Sequence, residues 1–345
     1  MKRFESDYLE GAHPDILRAL IETNGNQTPG YGEDTYCEAA RALLRERCAL
    51  PEGEVHFLVG GTQVNRTVIA TILRPHQGVV AADTGHIAVH ETGAIENSGH
   101  KVLTVPNADG KLAAAQVEEL CRAHYADASF EHTVQPGMVY ISNPSEFGTV
   151  YTKSELEALY AVCRKRRLPL FIDGARLGCA LHSPACDYTL AEMAHLCDVF
   201  TIGGTKMGLL FGEAAVFSAP ELAKDFRYYI KQNGGMLAKG RLLGVQFLAA
   251  FKDGLYDRIG AEEVRLALRL RDGFRARGWS FLVESPTNQQ FPILPDALIE
   301  KLAPEFSCSH TQSLPGGMSA VRFCTSWATT DADIDALLDA VPIHA

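Results

Sequence analysis

Much of what classifies a protein at sight is missing from these 345 residues. No run of about 18 apolar residues occurs, and the opening MKRFESDYLEGAHP has no apolar core, so neither a membrane span nor a secretory leader is expected. The nine cysteines are an odd number and include no CxxC pair, which argues against a closed disulfide framework and against a paired-cysteine metal or redox site; no metal ligand is assigned. They read as reduced, mostly buried thiols in a cytoplasmic protein. Acids outnumber bases, 42 against 32, but neither sign gathers in a tail, so nucleic acid and anionic membranes are not expected partners. The chain lacks GxxxxGK[ST], and no GxGxxG follows its first strand, so the common nucleotide-binding fingerprints are missing. There is no internal repeat, low-complexity stretch or Pro/Gly/Ser-rich linker.

What is present is a chain of ordinary globular composition, 46% hydrophobic and 21% charged, long enough for one large domain and a smaller one. Short apolar runs alternate with amphipathic stretches, the rhythm of βα units around a largely parallel sheet. VHFLVG, GVVAAD, KVLTVP, GMVYIS, LPLFID and DVFTIG read as strands, each bounded by Gly, Pro, Asn or Asp. HPDILRALIETNG and EDTYCEAARALLRERCAL read as helices, and Thr152 with Glu155 has the spacing of a capping box before LEALYAVCRKRR. Near residue 240 the rhythm changes. Two helical stretches, RLLGVQFLAAFKDG and AEEVRLALRLRDGFRARG, precede the shorter strands WSFLVES, QQFPIL and SAVRFCT and a last helix behind Thr330. The division read from this is a large unit over 15–240 and a small α+β unit over 241–345, with segment 1–14 packing near the latter.

Three expected strands end in polar residues, VYISNPSE, LFIDGAR and VFTIGGTK, and open parallel sheets bind ligands beyond such carboxyl ends. Alone, Asp173 reads equally well as a helix cap or an ion-pair partner of Arg176, and Lys206 as a solvated loop residue. Together, on neighbouring strand ends, they supply what pyridoxal 5'-phosphate needs: an amine for a Schiff base and a carboxylate that keeps the pyridine nitrogen protonated. Gly60, Gly61, Thr62 and Gln63, between a strand and a helical run, offer backbone N–H groups to a phosphate.

The segments SDYLEGAHPDIL, YGEDTY, GGTQVN, ADTGHIAVHETGAIE, PSEFGTVYTKSELEAL, FIDGARL, IGGTKMG and VRFCTSWATTDADID follow one another as they do in the threonine aldolase and β-eliminating lyase family, which the chain resembles from about Ser6 to Ala340. The resemblance implies an α/β, fold-type-I architecture of the PLP-dependent transferase kind, with a mostly parallel central sheet and a smaller α+β C-terminal domain. It implies that Lys206 carries the cofactor and that Asp173 faces its ring nitrogen. His86 then stacks on the ring and serves as base toward a β-hydroxyl, with Glu91 a second candidate for that proton work and His90 structural. Arg176 holds the substrate or the cofactor's phenolic side, so that Asp173 and Arg176 serve opposite ends of the ligand. Arg322 clamps the amino acid's carboxylate, where a planar fork is favoured, and Ser6 bonds the same group.

Lys231 and Lys239 match basic positions that reach a neighbouring subunit's phosphate, which implies a homodimer or homotetramer with sites at the interface. Two departures stand out. ISNPSEFGTVY, with Ser145 and Glu146, replaces the family's threonine-rich ENTHN stretch, and Met207 stands where asparagine is common. The implied reaction is retro-aldol cleavage of a small β-hydroxy-α-amino acid, L-threonine or L-allo-threonine, to glycine and an aldehyde. β-Elimination or cleavage of a phenylserine is the alternative, and a non-catalytic PLP-fold protein the third reading.

Overall fold

A computed structural model describes residues 1–344; Ala345, the last residue of the expected second unit, lies outside the described residues. Seven strands form the central sheet in the spatial order Glu54–Leu58, Glu213–Phe217, Val199–Gly203, Leu170–Asp173, Gln135–Ser142, Gln77–Ala82 and Val102–Val105. All neighbours pair in parallel except Glu213–Phe217, which runs antiparallel to the strands on both its sides. Leu170–Asp173 and Val199–Gly203 are buried at every residue, which is why their sequences are near-continuous apolar runs rather than alternating ones. The six expected strands are all present. The seventh, EAAVF, has a leading acid and two alanines, weak strand formers that owe their place to the partners on either side.

Helices cover both faces. On one, Cys37, Ala40 and Leu44 of Thr35–Arg47 and Leu156, Leu159 and Cys163 of Lys153–Arg166 join a first apolar cluster; on the other, Val64, Val68 and Ile69 of Gly61–Ile72 pack with Phe226 and Ile230 of Phe226–Gln232. Each large apolar side chain so buried contributes about 1.5–3 kcal/mol. The expected helix starts are found: Asp34 caps Thr35–Arg47 by accepting from the Cys37 N–H at 2.9 Å, and Thr152 and Glu155 bond reciprocally.

Past residue 240 the packing is less sharply divided than the change of rhythm suggests. Leu243, Phe247 and Phe251 of the helix Arg241–Lys252 lie in the first cluster, because that helix packs against Thr35–Arg47. The next helix, Leu255–Ala276, spans both regions: Tyr256, Ile259 and Val264 belong to the first cluster, Leu266, Leu270 and Phe274 to a third. That third cluster backs a small antiparallel sheet in which Met318–Cys324 lies between Ile293–Pro295 and Ser309–Leu314. Two expected strands differ. WSFLVES makes only an isolated bridge, Phe281 to Pro292, because proline has no N–H with which to extend a ladder. For the same reason QQFPIL breaks into Gln289–Gln290 and Ile293–Pro295. At the N-terminus Lys2–Arg3 pairs with Phe306–Ser307, and Phe4 is buried in the third cluster.

Candidate active site

Parallel strands deliver their carboxyl ends to one edge of the sheet, and there Ser142, Asp173 and the turn after Gly203 open onto a cavity of about 430 Å³. Gly60, Gly61, Thr62, His86, Glu146, Asp173, Arg176, Lys206 and Glu213 line it, so most of the residues singled out from sequence, from five separate segments, meet in one place.

Asp173 does not pair with Arg176. Its Oδ2 accepts from Asn65 Nδ2 at 2.8 Å and from the Tyr140 hydroxyl at 2.7 Å, and its Oδ1 from the Ala175 N–H at 3.0 Å. Three donors thus fix the orientation of this carboxylate. Asn65 Nδ2 also donates to Glu91 Oε1 at 2.8 Å, and Glu91 Oε1 lies 2.8 Å from His86 Nδ1. An ionised Glu91 requires the proton on Nδ1, which leaves Nε2 as the acceptor. Glu91 is buried behind His86 and lines no part of the cavity, so it acts on the site only through that ring. The His86 N–H donates to Glu146 Oε1 at 2.9 Å, and Ser142 Oγ donates to the same oxygen at 2.6 Å. Burial pushes the Glu146 carboxyl up. Both residues of the altered stretch, Ser145 and Glu146, therefore reach the cavity.

Arg176 is instead held by Asp7, 169 positions earlier: Nε meets Asp7 Oδ2 at 2.5 Å and Nη2 meets Oδ1 at 3.0 Å, while Asn288 Nδ2 donates to Oδ2 at 2.9 Å. Burial pushes the Asp7 carboxyl up, but the Arg176 charge and hydrogen bonds outweigh this and hold it below the usual carboxylate range. Lys206 forms no ion pair among the described residues; burial and then the Arg176 charge lower its pKa, as a nucleophilic amine requires. Met207 turns into the core beside Cys179, 3.9 Å between sulfurs, and so does not shape the cavity.

At the other end, the helix Gly61–Ile72 points its N-terminus at the cavity, with the N–H groups of Gly61, Thr62 and Gln63 ahead of its first internal bond, Val64 N–H to Gly60 O. The Gln63 side chain is occupied elsewhere, bridging the Val59 N–H and the Asn233 carbonyl at 3.1 Å each, so only its backbone is free. Arg322 and Ser6 lie outside the cavity lining. Arg322 donates to Gln289 Oε1 at 3.3 Å and to Glu5 O at 3.0 Å, and its Nε and the Ser6 hydroxyl are buried without partners. His90 lines the cavity beside His86, 5.6 Å between ring centres, whereas Lys231 and Lys239 are exposed away from it.

Sequence reasoning missed Asn65, Tyr140 and Glu213. Asn65 lies in the quoted GGTQVN, but nothing local marks its side chain as a bridge between two carboxylates. The site fits pyridoxal phosphate: an unpaired amine, a fully bonded carboxylate and an open helix N-terminus share one cavity, and Gly60 and Gly61 leave clear space before that N-terminus.

Known proteins agree. The low specificity L-threonine aldolase of Pseudomonas aeruginosa is 30% identical over 337 residues, covering 97% of this chain and 94% of that protein. The threonine aldolase of Leishmania major superposes with a TM-score of 0.95 at 44% identity, covering 98% of each chain. A putative L-allo-threonine aldolase from Listeria monocytogenes shares the fold, with a TM-score of 0.74 at 16% identity over 98% of this chain and 94% of that one. The architecture is thus that of the fold-type-I PLP enzymes. With the beta-eliminating lyase model matching residues 4–294, this chain belongs to the beta-eliminating lyase family and is a PLP-dependent lyase.

Proposed function

We propose that the protein cleaves a β-hydroxy-α-amino acid, L-threonine or L-allo-threonine, to glycine and an aldehyde. The observation that carries this reading is the meeting, in one cavity, of unpaired Lys206, hydrogen-bonded Asp173 and a histidine whose Nδ1 is committed to Glu91. Pyridoxal phosphate, when bound, supplies an electron-poor ring that takes up the electron pair of the broken Cα–Cβ bond. Lys206 anchors it and Asp173 holds the proton on its ring nitrogen. The N–H groups of Gly61, Thr62 and Gln63 bind its phosphate, with the helix dipole aligned to help. His86 Nε2 takes the β-hydroxyl proton, and Glu91 stabilises the imidazolium that results.

Arg176 binds the substrate carboxylate with its remaining donors. Arg322 and Ser6, which keep unpartnered polar atoms at the N-terminal segment, complete that clamp. Ser145 and Glu146 bound the side that receives the substrate's β-substituent. We further propose that residues 15–240, together with the helices after them that share their core, form the cofactor-binding unit, and that the third cluster is the core of the smaller one. The assembly is a homodimer or homotetramer in the cytoplasm, with Lys231 and Lys239 directed to a neighbouring site; the nine unpaired cysteines and the exposure of both lysines support this.

The test is product analysis. L-Threonine should yield glycine and acetaldehyde in equal amounts, and His86→Phe, which keeps a ring but not the base, should lower turnover about 10²–10⁴-fold. Borohydride reduction of the coloured protein should place the label on Lys206. 2-Oxobutyrate and ammonia in place of glycine and acetaldehyde would replace this reading with β-elimination.

A further inference from the structure

Glu213 is the one carboxylate in the cavity that the reading above leaves without work. It opens the antiparallel strand Glu213–Phe217, opposite Gly203 on one side and Leu58 on the other, and is only 4% exposed. Its Oε2 is buried with no hydrogen-bond partner among the described residues, although unpaired buried carboxyl oxygens are costly. It lines the same cavity as Lys206 without forming an ion pair with it, and the backbone joins the two. The Gly212 carbonyl accepts from the Gly204 N–H at 2.9 Å and the Thr205 N–H at 3.2 Å, and the Gly212 N–H donates to Thr205 Oγ1 at 3.1 Å. The lysine turn is thus a closed loop, with Lys206 beside one end and Glu213 beside the other. Gly212 sits at φ +123, which favours glycine at this closure.

The groups around Glu213 are few. Lys206 is the cation nearest in effect, Asp173 a like charge from the strand end two places away, and Tyr256 a buried neutral phenol. Leu58 is apolar, and the Gly61–Ile72 helix presents its N-terminus to the same cavity. Beyond Lys206 lie Arg176 and its partner Asp7, whose charges act on the lysine. Burial pushes the Glu213 carboxyl up to about 8 even though the Lys206 charge pulls it down. Burial, and then the Arg176 charge, lower Lys206.

We propose that Glu213 is the proton partner of Lys206, a positioning residue that takes a proton from the lysine ammonium when the amine must attack and returns it when the amine must leave. In the forward step one Nζ–H bond breaks, its electron pair stays on nitrogen, and the proton passes through water in the shared cavity to Glu213 Oε2; no oxidant or further reactant is needed. This rests on the reading of Lys206 as the cofactor anchor.

The test is a pH titration of the bound cofactor's absorbance in the holoenzyme and in Glu213→Gln. Two interacting groups titrate in two steps, so the wild type should show two and the variant one. The midpoint of the remaining step should fall by about one pH unit, a tenfold change, because the carboxylate that favours the protonated lysine nitrogen is gone. The variant should still bind cofactor and take the borohydride label on Lys206. A labelled, coloured variant with the wild-type midpoint overturns the proposal, and so does weaker cofactor retention at an unchanged midpoint, which makes Glu213 a cofactor contact. If the variant does not fold, the wild-type curve decides, and a single step overturns the proposal. A colourless wild type that takes no label refutes the anchor reading itself and the proposal with it.

Discussion

Side chains far apart in sequence hold the charges of this site in place. Asp7 is 1% exposed, and its carboxylate neutralises an Arg176 guanidinium that would otherwise sit largely buried and unpaired. Breaking one half of such a pair costs about 3–5 kcal/mol, so Asp7→Asn should lower the urea midpoint markedly. Arg176→Gln added to it should recover part of the loss, because the stranded charge goes too. The pH dependence has a definite sign. The folded Asp7 carboxyl lies below its unfolded value, so its stabilisation is complete above an unfolded pKa near 4 and is lost as pH falls through the lower folded value. The gap between wild type and Asp7→Asn should therefore stay constant from neutral pH to about 5 and close only in stronger acid. A gap that closed between pH 7 and 6 would point to another group.

At the scale of elements, the loop that replaces the family's threonine-rich stretch is tied to the segment just before Gln289–Gln290. The Gly148 carbonyl accepts from Thr287 Oγ1 at 3.0 Å and from Ser285 Oγ at 3.3 Å, and Gly148 itself is left-handed at φ +72. A Cβ there would press on both hydroxyl side chains. Gly148→Ala therefore adds backbone strain to a clash, and about 1–3 kcal/mol of destabilisation should appear in thermal unfolding. Because the loop carries Ser145 and Glu146 into the cavity, the KM for L-threonine should rise in the same variant. An unchanged KM with lowered stability would separate the loop's anchoring from its role in the site.

For the whole molecule, association is the property that the surface around Lys231 puts to the test. Lys231 Nζ stands 5.1 Å from the centre of the exposed Tyr31 ring, and Tyr228, one helical turn away, is 77% exposed. Light scattering should give at least twice the chain mass of 37.6 kDa, and Tyr228→Asp should shift the population toward the monomer. A monomeric wild type at micromolar concentration would remove the shared-site reading of Lys231 and Lys239.

What could be read from the chain alone is what is local. Apolar runs that end in Asp173 or in the Lys206 turn mark buried parallel strands and their ligand-binding ends, and Thr152 with Glu155 marks a helix start, because periodicity and capping act over a few residues. Glu213 and its weak strand escaped notice because two alanines and an acid carry no strand signal until Leu58 and Gly203 pair with them. WSFLVES misled for the converse reason, since its local pattern is that of a strand but its partner position is a proline. Only the tertiary structure decided that Arg176 answers to Asp7 rather than to Asp173, and that Asn65 joins Asp173 to the Glu91–His86 pair. Those hydrogen bonds cross sequence separations from 5 to 169 residues, and the longer ones exist only once the sheet has brought the strand ends together.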